Sequence, residues 1–598
     1  MATRNILSRA VLGCVPALLS LALASCAVDP AFDPKSPSRG PGQFVGRDAP
    51  LNEVFSGGVS PTPAPNPAPN PDGLCDADCH AYCESLDLQN PVDVALCPSI
   101  WGVGKATRPI DEVEACRRLY ADLAGYFPSL YEIERSCVGQ DLGEVARRII
   151  RTQDYVDVQR RLWADRLRYN DLVVNVERIF DADDVVQKTY RGLLRYDEMV
   201  HVMSAHPVLT RRYDSAGDRV EALFVTFFGR PPFENERADM AKLYTLWVNG
   251  YFDHPVLGVR VPDAYIEHRC VDEEGRVDPA TQGACTSILW GYYPVILEPT
   301  FRAVGNRTLS ENLTREEWEL LQTPGRILTT FEATWEHAAA EVLRQYLGYD
   351  LTELRNTVQK PLVEYLFAHH GDVRALHYAV VTSQIYLQSS KCSDEECDPD
   401  APTERLLFGP LKQADAEVWL DSIARFGGEK MGRCDFRITN PREWIESSPW
   451  GFDLVANSRW SVSPDGSIDR RYVDVAQTLG GCPDNQVSSR FTAVSILNTA
   501  TQEAFVGSLC NPWMREGRGV PVDRLIPDGT SPSTQIDAAG AEAIVEFQTR
   551  LFFARPATAD ERATAATAQG ACGAFCTYEQ FARAACYALL SSSEMLFY

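Results

Sequence analysis

Basic residues are in short supply: 57 Lys and Arg stand against 82 Asp and Glu, for a net charge of −25. Phosphate binding needs a basic face and the counterion release that accompanies it, so this balance argues against a nucleic-acid partner. It describes a solvated, self-repelling surface. Long apolar runs are scarce too. Ala10 to Ala24 is almost wholly apolar, yet too short for a spanning helix. Catalytic signatures are missing: there is no H-E-x-x-H, no G-x-S-x-G, no P-loop and no dinucleotide glycine fingerprint. No enzyme class follows, although abundant carboxylates leave a glycosidase-like acid pair open.

What is present begins at the N-terminus. Arg4 and Arg9 precede the apolar stretch, which ends in Leu23-Ala24-Ser25-Cys26. The layout is that of a secretory signal, and its end resembles a bacterial lipobox. The resemblance implies lipid transfer to Cys26, cleavage before it, and anchoring by acyl chains that each contribute about 0.8 kcal/mol per buried methylene. Ala27 in place of Asp favours the outer membrane, with the body facing the periplasm or the surface. Residues 1–25 are then the signal peptide, and 26–73 a lipidated cysteine with a Pro-rich tether that includes PTPAPNPAPNPDG.

The chain has 18 cysteines. With Cys14 removed and Cys26 lipidated, an even number is left, as expected for disulfides in an oxidising compartment. Spacing suggests Cys116–Cys137, Cys270–Cys285 and Cys392–Cys397. One motif has other possibilities. Cys75, Cys79 and His80 form C-x3-C-H, one residue longer than the usual haem-attachment signature. A haem there would use His80 as its proximal ligand. Against it, Cys83 and Cys97 lie near enough to pair with Cys75 and Cys79, and no Met occurs between Met1 and Met199. The same spacing recurs without His at Cys572 and Cys576. Disulfides are the expectation, with no cofactor and no metal.

The body repeats itself. VEALFVTFFGRPPFENERA from Val220 aligns without a gap on VEFQTRLFFARPATADERA from Val545. RAACYALLSSSEMLFY at the end is echoed by RALHYAVVTSQIYLQ from Arg374, and more faintly by ARRIIRTQDYV from Ala146. Arg555-Pro556 should break one helix, and Thr558 with Glu561 should cap the next. RRLYADLAGYFPSLYEIE reads as a helix, a turn and a second helix, with Pro128 in its first turn. From Leu142 through Asp171 the pattern continues as one long helix, on which Arg161, Asp165 and Arg168 are spaced to pair with each other. Another helix is expected over ILTTFEATWEHAAAEVLRQYL, with Phe331 and Trp335 on its apolar stripe.

RRLYADLAGYFPSLYEIE, RIIRTQDY, the pattern Arg161, Trp163, Asp165, Arg168, Tyr169, Asp171, and the closing FFARPATADER…ALLSSSEMLFY resemble domains of unknown function. Those domains occur beside cytochrome domains in planctomycetes, myxobacteria and related bacteria. The resemblance implies no activity, but it does imply a cytochrome as one possible partner.

The expected fold is mainly α, a multi-module protein of diverged helix-hairpin repeats with a small β-containing insert near 407–536. Helical modules are expected at 74–192, 193–300 and 301–400, a mixed Cys-tied region at 401–537, and a last helical module at 538–598. The leading functional expectation is a lipid-anchored envelope protein with a non-catalytic binding or scaffold role toward another envelope protein. A redox role, through haem at Cys75–His80 or a cytochrome partner, and a polysaccharide hydrolase are the alternatives.

Overall fold

The computed structural model describes residues 77–86, 88–102, 109–167, 179–205, 209, 215–246, 322–349, 351, 355–390, 405–426, 471–482, 490, 496–511, 520–573 and 575–598, with four short strands between 253 and 295. The signal, the tether, Cys26, Cys75, Cys285, Cys392, Cys397 and the side chain of Cys270 lie outside the described residues.

The described chain is mainly helical. Its N-terminal part runs α1 (Ala77–Ser85), α2 (Pro91–Gly102), α3 (Glu112–Leu119), α4 (Leu130–Ser136), α5 (Leu142–Ile150), α6 (Gln153–Leu167), α7 (Ile179–Tyr190) and α8 (Tyr196–Ala205). Next come α9 (Ala216–Phe228), α10 (Glu234–Leu246), α11 (Thr323–Leu328), α12 (Glu332–Leu347), α13 (Lys360–Ala368) and α14 (Arg374–Val381). The C-terminal part contributes α15 (Ala416–Phe426), α16 (Arg471–Thr478), α17 (Ile496–Cys510), α18 (Ala538–Phe552), α19 (Ala559–Cys572) and α20 (Tyr578–Leu590). The strands form two antiparallel pairs, Asp253–His254 with Val259–Arg260 and Arg269–Val271 with Tyr293–Val295.

The repeat is a structural unit. Between α9 and α10, Arg230 grips Glu236 through two bonds of 2.7 and 2.8 Å, and Glu236 also accepts from the Phe233 N–H at 2.8 Å. Between α18 and α19, Arg555 grips Glu561 through two bonds of 2.8 Å, and Glu561 accepts from the Thr558 N–H at 2.7 Å. Thr558 and Glu561 form the expected capping box. Such forked pairs are the strongest kind of arginine–carboxylate contact. They fix the angle between the helices.

The fold completes a third copy, of which the sequence shows the faint closing echo from Ala146. Gly125, Gly229 and Ala554 share a left-handed backbone at φ 78°, 75° and 58°. Each lies seven residues before a carboxylate that accepts from an N-cap N–H, and in the first copy that carboxylate is Glu132, bonded to the Ser129 N–H at 2.8 Å. The first copy has Tyr126 where the others have arginine. Arg425 of α15 supplies the missing guanidinium, stacked 3.8 Å from the Tyr126 ring and bonded to Glu132 at 2.9 Å. The closing segments also match. Ile110 N–H bonds Leu387 O, and Ala414 N–H bonds Leu596 O, so each closing strand pairs just ahead of a helix.

Two hydrophobic cores result. One gathers residues from Val92 to Phe408, so the first three helical modules share a single interior. The other gathers residues from Ala414 to Met595 and takes in Ala121 and Phe127, while Ala554 returns to the first. The two cores are therefore laced together by buried side chains.

Several expectations change. Within the region 407–536, where a β-containing insert is expected, Arg471–Thr478 and Ile496–Cys510 are helices, and much of the remainder lies outside the described residues. The long helix from Leu142 is broken at Arg151-Thr152, where the Thr152 hydroxyl bonds Ile149 O at 2.7 Å and accepts from the Tyr155 N–H, ending one helix and starting another. Pro128 precedes the Ser129 cap instead of entering the first turn. Phe331 caps α12 and is half exposed, whereas Trp335, Ala338, Ala339 and Val342 are buried as expected.

Candidate functional site

The site lies where the two cores meet. Leu119 is followed not by more α-helix but by a π-helical turn, Tyr120–Ala124, which ends at the left-handed Gly125. The wider turn brings four consecutive residues, Ala121 to Ala124, to the inside, and one of them is Asp122. Turns of this kind recur at functional positions.

Asp122 is buried and accepts three side-chain donors. Its Oδ1 takes the Lys412 ammonium and the Tyr598 hydroxyl, the latter at 2.7 Å. Its Oδ2 takes the Tyr386 hydroxyl at 2.8 Å. Lys412 and Tyr598 face each other across a short ladder in which each backbone N–H bonds the other's carbonyl at 3.0 Å. Burial pushes both phenols well above their ordinary range and pulls the Lys412 ammonium down, with Asp122 opposing the fall.

Beside this cluster opens a cleft of about 250 Å³ lined by Asp122, Arg161, Arg166, Glu341, Arg344, Gln345, Lys412, Asp415 and Tyr598, among others. Its charges are matched: Arg161 with Asp415 at 3.2 Å, and Arg166 with Glu341 at 2.5 Å, where Arg344 also bonds. Outside the lining, Arg490 joins Asp165 to Glu417. One guanidinium cannot fully compensate two buried carboxylates. Burial draws the Asp165 carboxyl up to about 6. Glu417, held by Arg490 and Arg161 and by the Cys482 N–H at 3.0 Å, is pulled down to about 2 despite its burial.

The sequence expected Arg161 and Asp165 to pair along one helix face. Instead both reach across to the second core, to Asp415 and Arg490. Trp163 and Leu167 are core, as expected. Asp122, Gln345, Lys412, Tyr386 and Tyr598 were not singled out. A lone carboxylate in the apolar stretch Leu119–Ala124 was the available signal, and its inward direction depends on a π turn that a 3.6-residue period does not reveal.

Among the cysteines, Cys116–Cys137 is a disulfide as expected, and Cys83 bonds Cys97 instead of a cysteine of the C-x3-C-H motif. Cys79 is itself disulfide-bonded, which occupies the sulfur that a haem thioether would need, and His80 is exposed on α1. Cys572 and Cys576, at the same spacing, bond each other. Cys510–Cys586 ties α17 to α20. These bonds belong to an oxidising compartment. Among the described residues no helix is long and apolar enough to cross a membrane, and no three His, Cys, Asp or Glu side chains are grouped to hold a metal ion. In comparisons with known proteins, the chain matches no family model, no curated protein and no solved structure.

Proposed function

We propose that this protein is an exported lipoprotein, held at the outer membrane through Cys26, with a non-catalytic binding or scaffold role at the cell envelope. The observation that carries the binding half is the cleft between the cores. Its carboxylates are each held by a cation, Asp122 by Lys412, Asp415 by Arg161 and Glu341 by Arg166 and Arg344. That makes a rigid polar wall, suited to recognition more than to proton transfer. The disulfides support export, and the Pro-rich stretch would lift the body from the membrane. The sequence resemblance to cytochrome-associated domains makes an envelope cytochrome one candidate partner. Radiolabelled palmitate and membrane fractionation test the anchor. The wild type should take up label and pellet with outer membranes, and Cys26→Ser should do neither; a Cys26→Ser variant that stays membrane-bound refutes it.

A hydrolase is the second reading, favoured by one observation: Asp165 and Glu417 flank one arginine with their acidities pushed apart, as an acid and a base would be. Release of reducing sugar from envelope polysaccharide that is abolished in Asp165→Asn, with the variant still folded at the assay pH, would favour it over the binding role.

A further inference from the structure

We propose that Cys572–Cys576 is an exchangeable disulfide, at which a partner protein carrying a dithiol docks and delivers an electron pair. The site is separate from the cleft between the cores and goes beyond the binding role assigned to it. The first observation is access. Cys572 is exposed at the end of α19, whereas Cys576 is only 2% exposed. Among the disulfides described at both ends, no other cysteine is exposed: Cys116–Cys137 and Cys510–Cys586 are buried, and Cys83–Cys97 is half-buried. Exchange requires a thiolate to reach a sulfur, so exposed disulfides are the labile ones.

The second observation is how little the fold depends on this bond. It spans a sequence separation of 4, against 14, 21 and 76 for the others. The stabilisation a disulfide gives by restricting the unfolded chain grows with the loop it closes. The start of α20 is also held without it. Ile536 N–H bonds Cys576 O at 2.9 Å, Tyr578 N–H bonds Thr534 O at 3.0 Å, and Glu579 N–H bonds Pro532 O at 3.0 Å. The buried Cys510–Cys586 bond ties the same helix to α17. Opening Cys572–Cys576 therefore leaves the last hairpin in place.

The third observation is the surface around the sulfur. From Ala563 to Tyr578 the chain has no charged residue, although charged residues make up 23% of the whole. Phe575, next to Cys576, is 92% exposed. Aromatic side chains are enriched where proteins meet, and this one stands beside an accessible sulfur in a stretch free of the general negative charge.

The chemistry has a fixed direction. A partner thiolate attacks Cys572 Sγ, the Cys572–Cys576 bond breaks, and the electron pair leaves on Cys576 Sγ. Cys576 precedes Thr577, the N-cap of α20, and the positive end of that helix offsets part of the cost of a buried thiolate until it is protonated. The partner's second thiolate then attacks its own sulfur in the mixed disulfide and releases Cys572. The partner's dithiol is oxidised to a disulfide, and Cys572 and Cys576 become two thiols.

The test uses the full-length protein in detergent. Graded reduced glutathione, followed by alkylation and peptide mapping, should open Cys572–Cys576 at a concentration about tenfold or more below that needed for Cys116–Cys137 or Cys510–Cys586. A thioredoxin-type dithiol protein whose resolving cysteine is replaced by serine should be trapped on Cys572. Phe575→Ser should slow reduction by the intact dithiol protein about tenfold and change the rate with dithiothreitol by less than about twofold. That contrast separates docking from exposure alone, and an exposed side chain carries little risk to the fold. The proposal is overturned if either buried disulfide opens first, if the trapped adduct is on Cys576 or does not form, or if Phe575→Ser slows both reactions alike or neither.

Discussion

Asp122 can be removed in a way that tests the whole junction. Its carboxylate satisfies three buried donors at once, the Lys412 ammonium and the hydroxyls of Tyr386 and Tyr598. Asp122→Leu leaves all three without it. A buried charge stripped of its partner costs about 3–5 kcal/mol. Lys412 can escape part of that by losing its proton, which caps the charge contribution at about 4.6 kcal/mol at pH 7, the cost of neutralising an ordinary lysine. The two phenols add about 1 kcal/mol each, the lower end of the range, since water in the cleft can reach Tyr598. The total is about 5–7 kcal/mol. Lys412→Met should cost only about 1.5–3 kcal/mol, because Asp122 keeps two donors. The double variant leaves only the phenols unmet and should cost about 2 kcal/mol, less than Asp122→Leu alone. Urea unfolding measures all three, with Trp335 buried in the first core and Trp419 in the second as reporters. Both signals should shift together. An Asp122→Leu cost below about 1 kcal/mol, or a double variant worse than Asp122→Leu, would refute the idea that the carboxylate organises the junction.

Three other perturbations follow from the same structure. Gly229→Ala should cost at least about 2 kcal/mol, because a side chain at φ 75° is strained and the new Cβ would strike the His337 ring; thermal unfolding should show the loss, whereas Ala554→Gly at the equivalent position should change stability by less than about 1 kcal/mol. Breaking Cys510–Cys586, which closes a loop across a sequence separation of 76, should cost about 4.5 kcal/mol by chain entropy, against about 3 kcal/mol for Cys83–Cys97 across 14. Denaturation of the paired Ser variants gives the order, and a larger loss at Cys83–Cys97 would contradict it. The Asp165–Arg490–Glu417 group makes stability depend on pH from both sides. The raised Asp165 carboxyl contributes below about pH 4, and its contribution is lost as pH rises through about 6. The lowered Glu417 carboxyl contributes above about pH 4.5 and is lost as pH falls toward 2. The unfolding midpoint should therefore fall between pH 4.5 and 7, and Asp165→Asn should flatten that fall. An unchanged slope would mean that Asp165 does not titrate there.

Much of the fold was legible because hairpins advertise themselves locally. Arg-Pro followed by a cap and a glutamate marks a helix boundary wherever it occurs, so α9–α10 and α18–α19 could be read directly. In the first copy the arginine–glutamate boundary escaped, because its arginine is Tyr126 and the guanidinium that completes it comes from Arg425, far along the chain. The break at Arg151-Thr152 was hidden for a related reason: the apolar period runs from α5 into α6 with no glycine or proline at the junction, and a threonine hydroxyl does the terminating. The site was less legible still. The Arg161–Asp165–Arg168 spacing matches a helical ion-pair ladder, but the pairs actually formed by Arg161 and Asp165 cross between cores. Spacing reports which residues could meet along one helix and is silent on partners more than 250 positions away.

The origin of the cleft lies in that repetition. Asp122 comes from the hairpin of the first copy, Tyr386 from the closing segment of the second and Tyr598 from the closing segment of the third. The three closing segments place Tyr155, Tyr386 and Met595 at equivalent buried positions. Repetition supplied the frame, and a few substitutions within it supplied the chemistry. A carboxylate stands at Asp122, where the other copies have Thr226 and Leu551, and the third copy ends in Tyr598. None of these residues forms a site within its own hairpin. The cluster exists only when all three copies are folded against one another, so binding at the cleft and stability of the junction should rise and fall together. A ligand held in the cleft would then raise the unfolding free energy by mass action, by about 2.7 kcal/mol at a hundredfold excess over its Kd. That coupling separates a ligand held between the cores from one adhering to an outer face of either.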